Sequence, residues 1–161
     1  MMEAKLWNNP CWLTYRLNYL ALRYNTPLYA FVEDKWGLSR PEFVVIYSLG
    51  LSDHSNAVDI AASSGFPQNT LSRAIHRLSG LGLLARAEDP ADGRRRVVSL
   101  TAAGRALFEA ALPHFVAFER RMLSALSTAE QETLSNLMAK MVMAAPDWPT
   151  TVDGKDSYAN P

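Results

Sequence analysis

Seven polar side chains between positions 68 and 77 have the chemistry needed to recognise nucleic acid. Their spacing is helical, so most of them share one face and the others lie in the first turn: Gln68, Asn69, Thr70, Ser72, Arg73, His76 and Arg77. Amide and guanidinium groups can hold a base edge through two hydrogen bonds, and hydroxyl and helix-start N–H groups hold phosphate oxygens. The alternative is an ordinary solvated face, because polar side chains are common on surface helices.

A second group of cations follows a turn signal. Arg94, Arg95 and Arg96 come directly after Asp92-Gly93, and glycine accepts the positive φ that a tight hairpin requires. Three adjacent cations repel one another unless a polyanion neutralises them, and a narrow minor groove concentrates negative potential. The sequence therefore predicts a hairpin tip that meets the minor groove. The alternative is that the three arginines serve only solubility.

The helices and strands predicted for residues 56–101 must position both the polar residues at 68–77 and the arginines at 94–96. Apolar residues at steps of three and four predict a helix from about Pro67 to Gly80 with one buried face. These residues are Leu71, Ala74, Ile75, Leu78 and Leu81. A short helix and a tight turn at Gly65 precede this helix, and strands at 83–87 and 96–100 follow it. The predicted arrangement is a helix-turn-helix followed by a β-hairpin wing.

This segment resembles the MarR family of winged-helix transcriptional regulators. The resemblance covers roughly residues 11–145 and is most specific in R-L-x-x-x-G-L-L before the wing and D-P-x-D-x-R leading into S-L-T-x-x-G. It implies that Arg94 is the wing arginine, that Asp92 braces it, and that the recognition helix meets the major groove. The groove residues it implies are Gln68, Asn69, Thr70, Ser72, Arg73 and Arg77. Pro67 to Asn69 departs from the small hydroxyl or lysine residues usual in relatives, which affects the operator sequence.

The apolar pattern near the start of the chain predicts a long first helix from Cys11 to about Trp36. Pro27 should kink this helix or end one segment of it. Ser39 and Glu42 have the spacing of a capping box, which predicts a helix from about Arg40 to Leu49. The loop at 53–55 has room for a short strand that would pair with the wing.

Two more helices are predicted after the wing. Thr101 is the expected cap of the first, which Pro113 should bend, and a second capping box at 127–130 opens the last one. Their apolar faces need a partner, and the family resemblance implies that the first helix and the last two interleave with those of a second subunit. Two recognition helices about one turn of DNA apart, roughly 34 Å, would read a pseudo-palindrome.

The predicted fold class is therefore mainly α with a small β-wing: a winged helix-turn-helix domain plus dimerisation helices from both chain ends. The predicted organisation is an N-terminal dimerisation helix at 1–36, a DNA-binding lobe at 37–101, C-terminal dimerisation helices at 102–145 and a mobile tail at 146–161.

The formal net charge is zero, yet the cations are unevenly distributed. Residues 66–105 contain seven arginines and three acidic residues, which leaves +4 there and −4 in the rest of the chain. A basic face on a neutral protein suits DNA, while overall neutrality limits non-specific affinity. The single cysteine excludes an internal disulfide and fits a reducing compartment. With no signal peptide and no apolar run of about 20 residues, a cytoplasmic protein without membrane contacts is expected.

Residues of the first helix indicate two ways in which the protein could respond to a signal: oxidation by peroxide or binding of a small effector. Cys11 at its start, with Tyr15 one turn on, is similar to the organic-hydroperoxide-sensing branch of the family, which implies a thiolate that peroxide oxidises. The alternative is an inert buried thiol. The second route is a small aromatic or carboxylate effector in the crevice between the dimerisation helices and the winged lobe. Trp12, Tyr15, Arg16 and Tyr19 could line it, with Arg16 as the anion partner, or could instead pack in the subunit interface.

Neither phosphate-binding loops nor catalytic motifs occur, and His54, His76 and His114 have no ligand-spaced partners. No catalytic residue, metal or cofactor is therefore expected, and the protein should not be an enzyme. The sequence predicts a homodimeric DNA-binding transcriptional regulator, specifically a ligand-responsive repressor with a pseudo-palindromic operator. The alternatives are a peroxide sensor that uses Cys11 and a winged-helix protein-interaction module without DNA binding.

Overall fold

The computed structural model describes residues 1–52, 54–88, 96–149 and 151. The elements in chain order are α1 (Met2–Leu6), α2 (Trp12–Trp36), α3 (Arg40–Leu51), α4 (Ala57–Ser64), α5 (Gln68–Gly80), β1 (Leu84–Glu88), β2 (Arg96–Leu100), α6 (Ala102–Leu123), α7 (Thr128–Ala144) and a 3₁₀ turn (Ala145–Asp147). The chain divides into two compact units, Met1–Glu119 and Arg120–Pro161. None of the helices within the described ranges is long and apolar enough to cross a membrane.

The helix-turn-helix is formed by α4 and α5. Asn56 begins α4 because its side-chain oxygen accepts hydrogen bonds from the N–H groups of Val58 and Asp59, at 2.9 and 3.1 Å. Gly65 ends α4 with a φ of 72°, which places it in the left-handed region that favours glycine. The apolar stripe of α5 is buried against α3 and α4 as predicted, except at Leu81. Leu81 follows the last helical residue and is 53% exposed, so its predicted burial is wrong.

The capping box at Ser39 and Glu42 is present and starts α3, which continues to Leu51 rather than ending near Leu49. α2 runs unbroken past Pro27, so this proline does not end a segment. Proline in a helix interior removes one backbone hydrogen bond, and burial of the neighbouring Leu28 and Val32 offsets that loss.

The wing is an antiparallel pair, with Leu84 opposite Leu100 and Glu88 opposite Arg96. The short strand expected before α4 is confirmed as a bridge in which Ser55 and Val98 exchange backbone hydrogen bonds of 3.2 and 2.8 Å. This bridge holds the wing against the segment that leads into the helix-turn-helix. The wing therefore has a fixed base for positioning its tip.

Aromatic rings form much of the core of the first unit. Phe43 of α3 stacks on Phe115 of α6, with ring centroids 4.9 Å apart, and Tyr29 of α2 meets both rings edge-on. Each buried ring of this size contributes about 1.5–3 kcal/mol by leaving water, so these contacts tie α2, α3 and α6 together.

The second unit contains the end of α6 and all of α7. The capping box of α7 is present, because the N–H of Ser127 donates to Glu130 at 2.8 Å and the Ser127 hydroxyl accepts from the N–H of Glu130 at 3.4 Å. No residue of α7 is buried in the single chain. Its exposed apolar side chains are Leu134, Leu137, Met138, Val142 and Met143.

Candidate nucleic-acid interface

The outer face of α5 carries the predicted groove residues. Six of them are exposed: Gln68, Asn69, Ser72, Arg73, His76 and Arg77. Thr70 is half-buried, and its hydroxyl lies 3.4 Å from the side-chain oxygen of Asn69. The side chains of Arg73 and His76 make no hydrogen bond or ion pair with any other described residue. Their donors therefore remain available for a ligand outside the chain.

The start of α5 is suited to an anion. The residue before it is Pro67, which offers no side-chain cap, and the first turn contains no acidic residue. Uncapped N–H groups at a helix start point outwards and carry a partial positive charge. A phosphate oxygen can occupy that position, as it does at many helix N-termini.

Arg77 has a different environment from the other predicted residues of α5. Its Nη1 donates to Glu42 in a short ion pair, and its Nη2 donates to the carbonyl oxygen of Gly37 at 3.3 Å. Arg77 was predicted to meet the major groove, whereas in the structure its guanidinium lies at the junction between α2 and α3.

Glu42 is the buried acceptor at this junction, with only 6% of the residue exposed. Burial raises the pKa of its carboxyl group, but hydrogen bonds from Arg77 and Ser39 outweigh burial and bring the pKa below its ordinary value. Glu42 is therefore charged at neutral pH. In the sequence, Glu42 was recognised only as a member of the capping box. That pattern predicted its contact with Ser39 but not its ion pair with Arg77.

The predicted tip of the wing lies mostly outside the described residues, since Asp92, Arg94 and Arg95 are all there. The structure describes the backbone of Arg96, which pairs with Glu88 in the sheet. One cation on the wing was counted in the charge of residues 66–105 but was not predicted as a site residue. Arg86 is exposed on β1, and its Nε donates to the hydroxyl of Ser79 at 3.1 Å, close to the end of α5.

Arg16, one of the α2 residues predicted to bind an effector, is held by contacts with Leu6 and Trp7 at the end of α1. The Nε of Arg16 donates to the carbonyl oxygen of Leu6 at 2.7 Å, and its guanidinium lies over the Trp7 and Trp12 rings, 5.4 and 4.8 Å from their centroids. Trp12, Tyr15 and Tyr19 remain exposed in the single chain. The sequence did not predict α1, which engages the proposed anion partner.

A cavity of about 530 Å³ lies elsewhere in the first unit, between α2, α3, α4 and α6. Its lining combines aromatic rings, serine hydroxyls and one cation, and includes Tyr24, Tyr29, Arg40, Tyr47, Ser63 and Phe66. The guanidinium carbon of Arg40 is 5.1 Å from the Tyr29 ring centroid and 5.4 Å from that of Phe66. These residues come from separate segments of the chain, so no local sequence pattern indicated this site.

Two tyrosines of this cavity are held in the protonated form. Burial, and then Glu119 and the neighbouring tyrosines, raise the pKa of Tyr24 to about 12. Burial also raises the pKa of Tyr29, although the nearby Arg40 opposes this effect. Both hydroxyls can therefore donate hydrogen bonds at neutral pH, beside a positive charge.

Cys11 is exposed and forms the N-cap of α2. Its N–H donates to the side-chain oxygen of Asn9 at 2.8 Å, and its carbonyl oxygen accepts from the Thr14 hydroxyl at 3.0 Å. The alternative of a buried thiol does not hold for the single chain. Oxidation of Cys11 by peroxide stays a prediction.

Together α4, the turn at Gly65, α5 and the β1–β2 hairpin define a winged helix-turn-helix, a fold class of DNA-binding regulators. The MarR family model matches residues 36–95. The chain is also 33% identical over 107 residues to the transcriptional regulator HosA of Escherichia coli O111:H-, an alignment that covers 66% of this chain and 79% of HosA. The chain belongs to the MarR family of DNA-binding transcriptional regulators.

Two further similarities extend this result. The HTH-type transcriptional repressor Rv2887 of Mycobacterium tuberculosis is 28% identical over 105 residues, which cover 65% of this chain and 76% of the repressor. BpsR of Bordetella bronchiseptica, whose DNA binding is regulated by 6-hydroxynicotinic acid, superposes with a TM-score of 0.68. It is 29% identical, and the match covers 80% of this chain and 91% of BpsR. The predicted family and fold class are confirmed.

Proposed function

We propose that the protein is a ligand-responsive repressor that binds a pseudo-palindromic operator as a homodimer. The observation that carries this proposal is the exposed polar face of α5 beside an uncapped helix start. In each subunit this face would enter the major groove with Gln68, Asn69, Thr70, Ser72, Arg73 and His76. Arg94, Arg95 and Arg96 would reach the minor groove or the flanking phosphates.

Exposed apolar side chains support the homodimer. On α2 they are Trp12, Tyr15, Leu17, Tyr19, Leu20 and Leu22, and α7 adds the set given above. Soluble monomers seldom leave large contiguous apolar patches in water, and a second copy of this chain would cover both helices. A two-fold dimer also presents two α5 helices to successive turns of DNA.

Replacing Arg73 tests the assigned groove face. The probe is a duplex selected from a randomised pool by the unmodified protein. Because an arginine that contacts a base pair contributes about 1–3 kcal/mol, Arg73→Gln should weaken binding by that amount and relax the preference at one position of each half-site. The measurement is affinity for the selected duplex and for its single-base variants.

The matched control is Lys5→Gln, which removes the same charge from an exposed position on α1. It should leave both affinity and base preference unchanged. If the two variants behave alike, the α5 face does not read bases. If the unmodified protein selects no duplex at all, the protein-interaction module becomes the better interpretation.

The cavity lined by Arg40 is our proposed effector site. Its volume lies within the range of small-molecule pockets, and its rings, hydroxyls and cation suit a small aromatic carboxylate. The response of BpsR to 6-hydroxynicotinic acid supports this ligand class. The effector would favour a dimer whose α5 helices are wrongly spaced for the operator, so it acts only through its differential affinity for the two dimer states.

This site can be distinguished from the one predicted around Arg16. With 6-hydroxynicotinic acid and benzoate as probes, Arg40→Gln should lower affinity by about 10-fold or more, since a charge-assisted hydrogen bond contributes about 1.5–3 kcal/mol. Arg16→Gln is the matched control and should bind the probes normally. Calorimetry that shows the reverse pattern would place the effector at the α1–α2 surface instead.

A further inference from the structure

Arg77 and Glu42 form a link between the recognition helix and the α2–α3 junction. We propose that Arg77 is a positioning residue, which holds α5 in its binding orientation through Glu42 and makes no contact with DNA. This inference goes beyond the proposed function because it assigns a role to two side chains that neither base reading nor effector binding uses.

The contacts of one guanidinium join three helices. Arg77 on α5 donates to Glu42 on α3, and also to the carbonyl oxygen of Gly37, which ends α2 with a φ of 63°. The same carboxylate oxygen of Glu42 accepts the N–H of Ser39 at 2.7 Å, which fixes the first turn of α3. A rotation or shift of α5 relative to this junction would have to break the link.

Burial makes the link costly to exchange for a phosphate. Glu42 is almost fully buried, while its ion-pair partner Arg77 reaches it from the surface with 53% of its side chain exposed. Removing Arg77 would leave the buried charge of Glu42 without its cation, and an uncompensated buried charge is destabilising. A DNA phosphate that drew the guanidinium away from Glu42 would leave Glu42 in that state, which opposes the transfer of Arg77 to DNA.

The location of Arg77 on α5 supports the same role. It lies in the last turn of the helix, whereas recognition helices contact base edges through their N-terminal residues. At 1.5 Å per residue, Arg77 is about 13 Å along the helix from Gln68. Arg73, one turn earlier, is exposed with no partner among the described residues and is the natural comparison.

A thermodynamic cycle on DNA binding tests the proposal. The proteins are the unmodified chain, Glu42→Gln, Arg77→Gln and the double variant, each titrated with the duplex selected by the unmodified protein. Glutamine also supports a capping box, so Glu42→Gln removes the ion pair and keeps the start of α3. We expect each single variant to weaken binding about 10-fold and the double variant to be no weaker than Arg77→Gln alone.

The salt dependence of DNA affinity distinguishes a positioning role of Arg77 from a direct contact between Arg77 and a phosphate. Losing a phosphate contact reduces the slope of log affinity against log salt by about 1, so Arg77→Gln should keep the slope of the unmodified protein. The proposal is overturned if Arg77→Gln reduces this slope, if it has the same effect with and without Glu42→Gln, or if it leaves affinity unchanged.

A second readout needs no DNA. In the free protein, Arg77→Gln should speed amide hydrogen exchange in α5, whereas Arg73→Gln should not; equal exchange in both variants would contradict the proposal. If Arg77→Gln does not fold, Arg77→Lys keeps the charge without the planar fork, and the same slope and exchange criteria apply. Should the unmodified protein select no duplex, the proposed function fails, and the exchange comparison still decides whether Arg77 fixes α5.

Discussion

Arg73 and Arg77 lie one turn apart on the same helix, yet their surroundings differ, and we propose different roles for them. Both side chains are exposed, but Arg73 has no partner among the described residues, while Arg77 donates to a buried carboxylate and to the end of α2. A guanidinium paired with a buried carboxylate is restrained from moving to a base, because its departure would leave that charge without compensation. Our proposal of base reading for Arg73 and positioning for Arg77 therefore depends on the neighbours of each side chain and not on its type.

This contrast also shows how far residues could be predicted from sequence. The outer face of α5 follows from the helical period, because burial of Leu71 and Leu78 turns Arg73 outwards. The partner of Arg77 could not be predicted in this way, since Glu42 is 35 residues away in sequence and already had a sufficient role in a capping box. The cavity around Arg40 was missed for the same reason.

At the scale of elements, Gly104 sets how closely α6 can approach the wing. A Cβ at this position would lie 2.2 Å from the carbonyl oxygen of Leu83, which in turn accepts the N–H of Thr101 at 3.1 Å. Gly104→Ala must therefore push the backbone apart. We expect it to lower the free energy of unfolding by about 1–3 kcal/mol, measured by chemical denaturation.

Gly80→Ala is the control for this variant. Gly80 is likewise a helical glycine, at the last position of α5, but within the described part of the chain a Cβ there would meet no other side chain and no backbone outside its own helix within 4 Å. Alanine should be neutral or stabilise the fold by up to about 1 kcal/mol, because it is the better helix former. If Gly104→Ala is as stable as Gly80→Ala, the close approach of α6 to the wing has been assigned incorrectly.

Element boundaries were predictable where a local signal was strong. The capping boxes at Ser39 and Ser127 give the starts of α3 and α7 correctly, because the two partners of such a box are three residues apart. α1 has only five residues, too few for a periodic pattern. The continuation of α2 past Pro27 depends on burial against other helices, which no local rule includes.

At the scale of the whole molecule, apolar surface and charge are arranged for different partners. Apolar side chains remain exposed on α2 and α7, while the +4 segment of residues 66–105 contains α5 and the wing. A second copy of the chain suits the first surface, and a duplex suits the second. This division explains how a protein without net charge can bind a polyanion: its cations are concentrated in the lobe that would meet DNA.

Hydroxyl-radical footprinting of the selected duplex is the decisive measurement, because it would report both subunits of the proposed homodimer on DNA at once. We predict two protected tracts, related by a two-fold centre, with their centres about 10–10.5 base pairs or a multiple of that apart. A single tract with no symmetric counterpart would contradict the proposal that two α5 helices of a homodimer read a pseudo-palindrome.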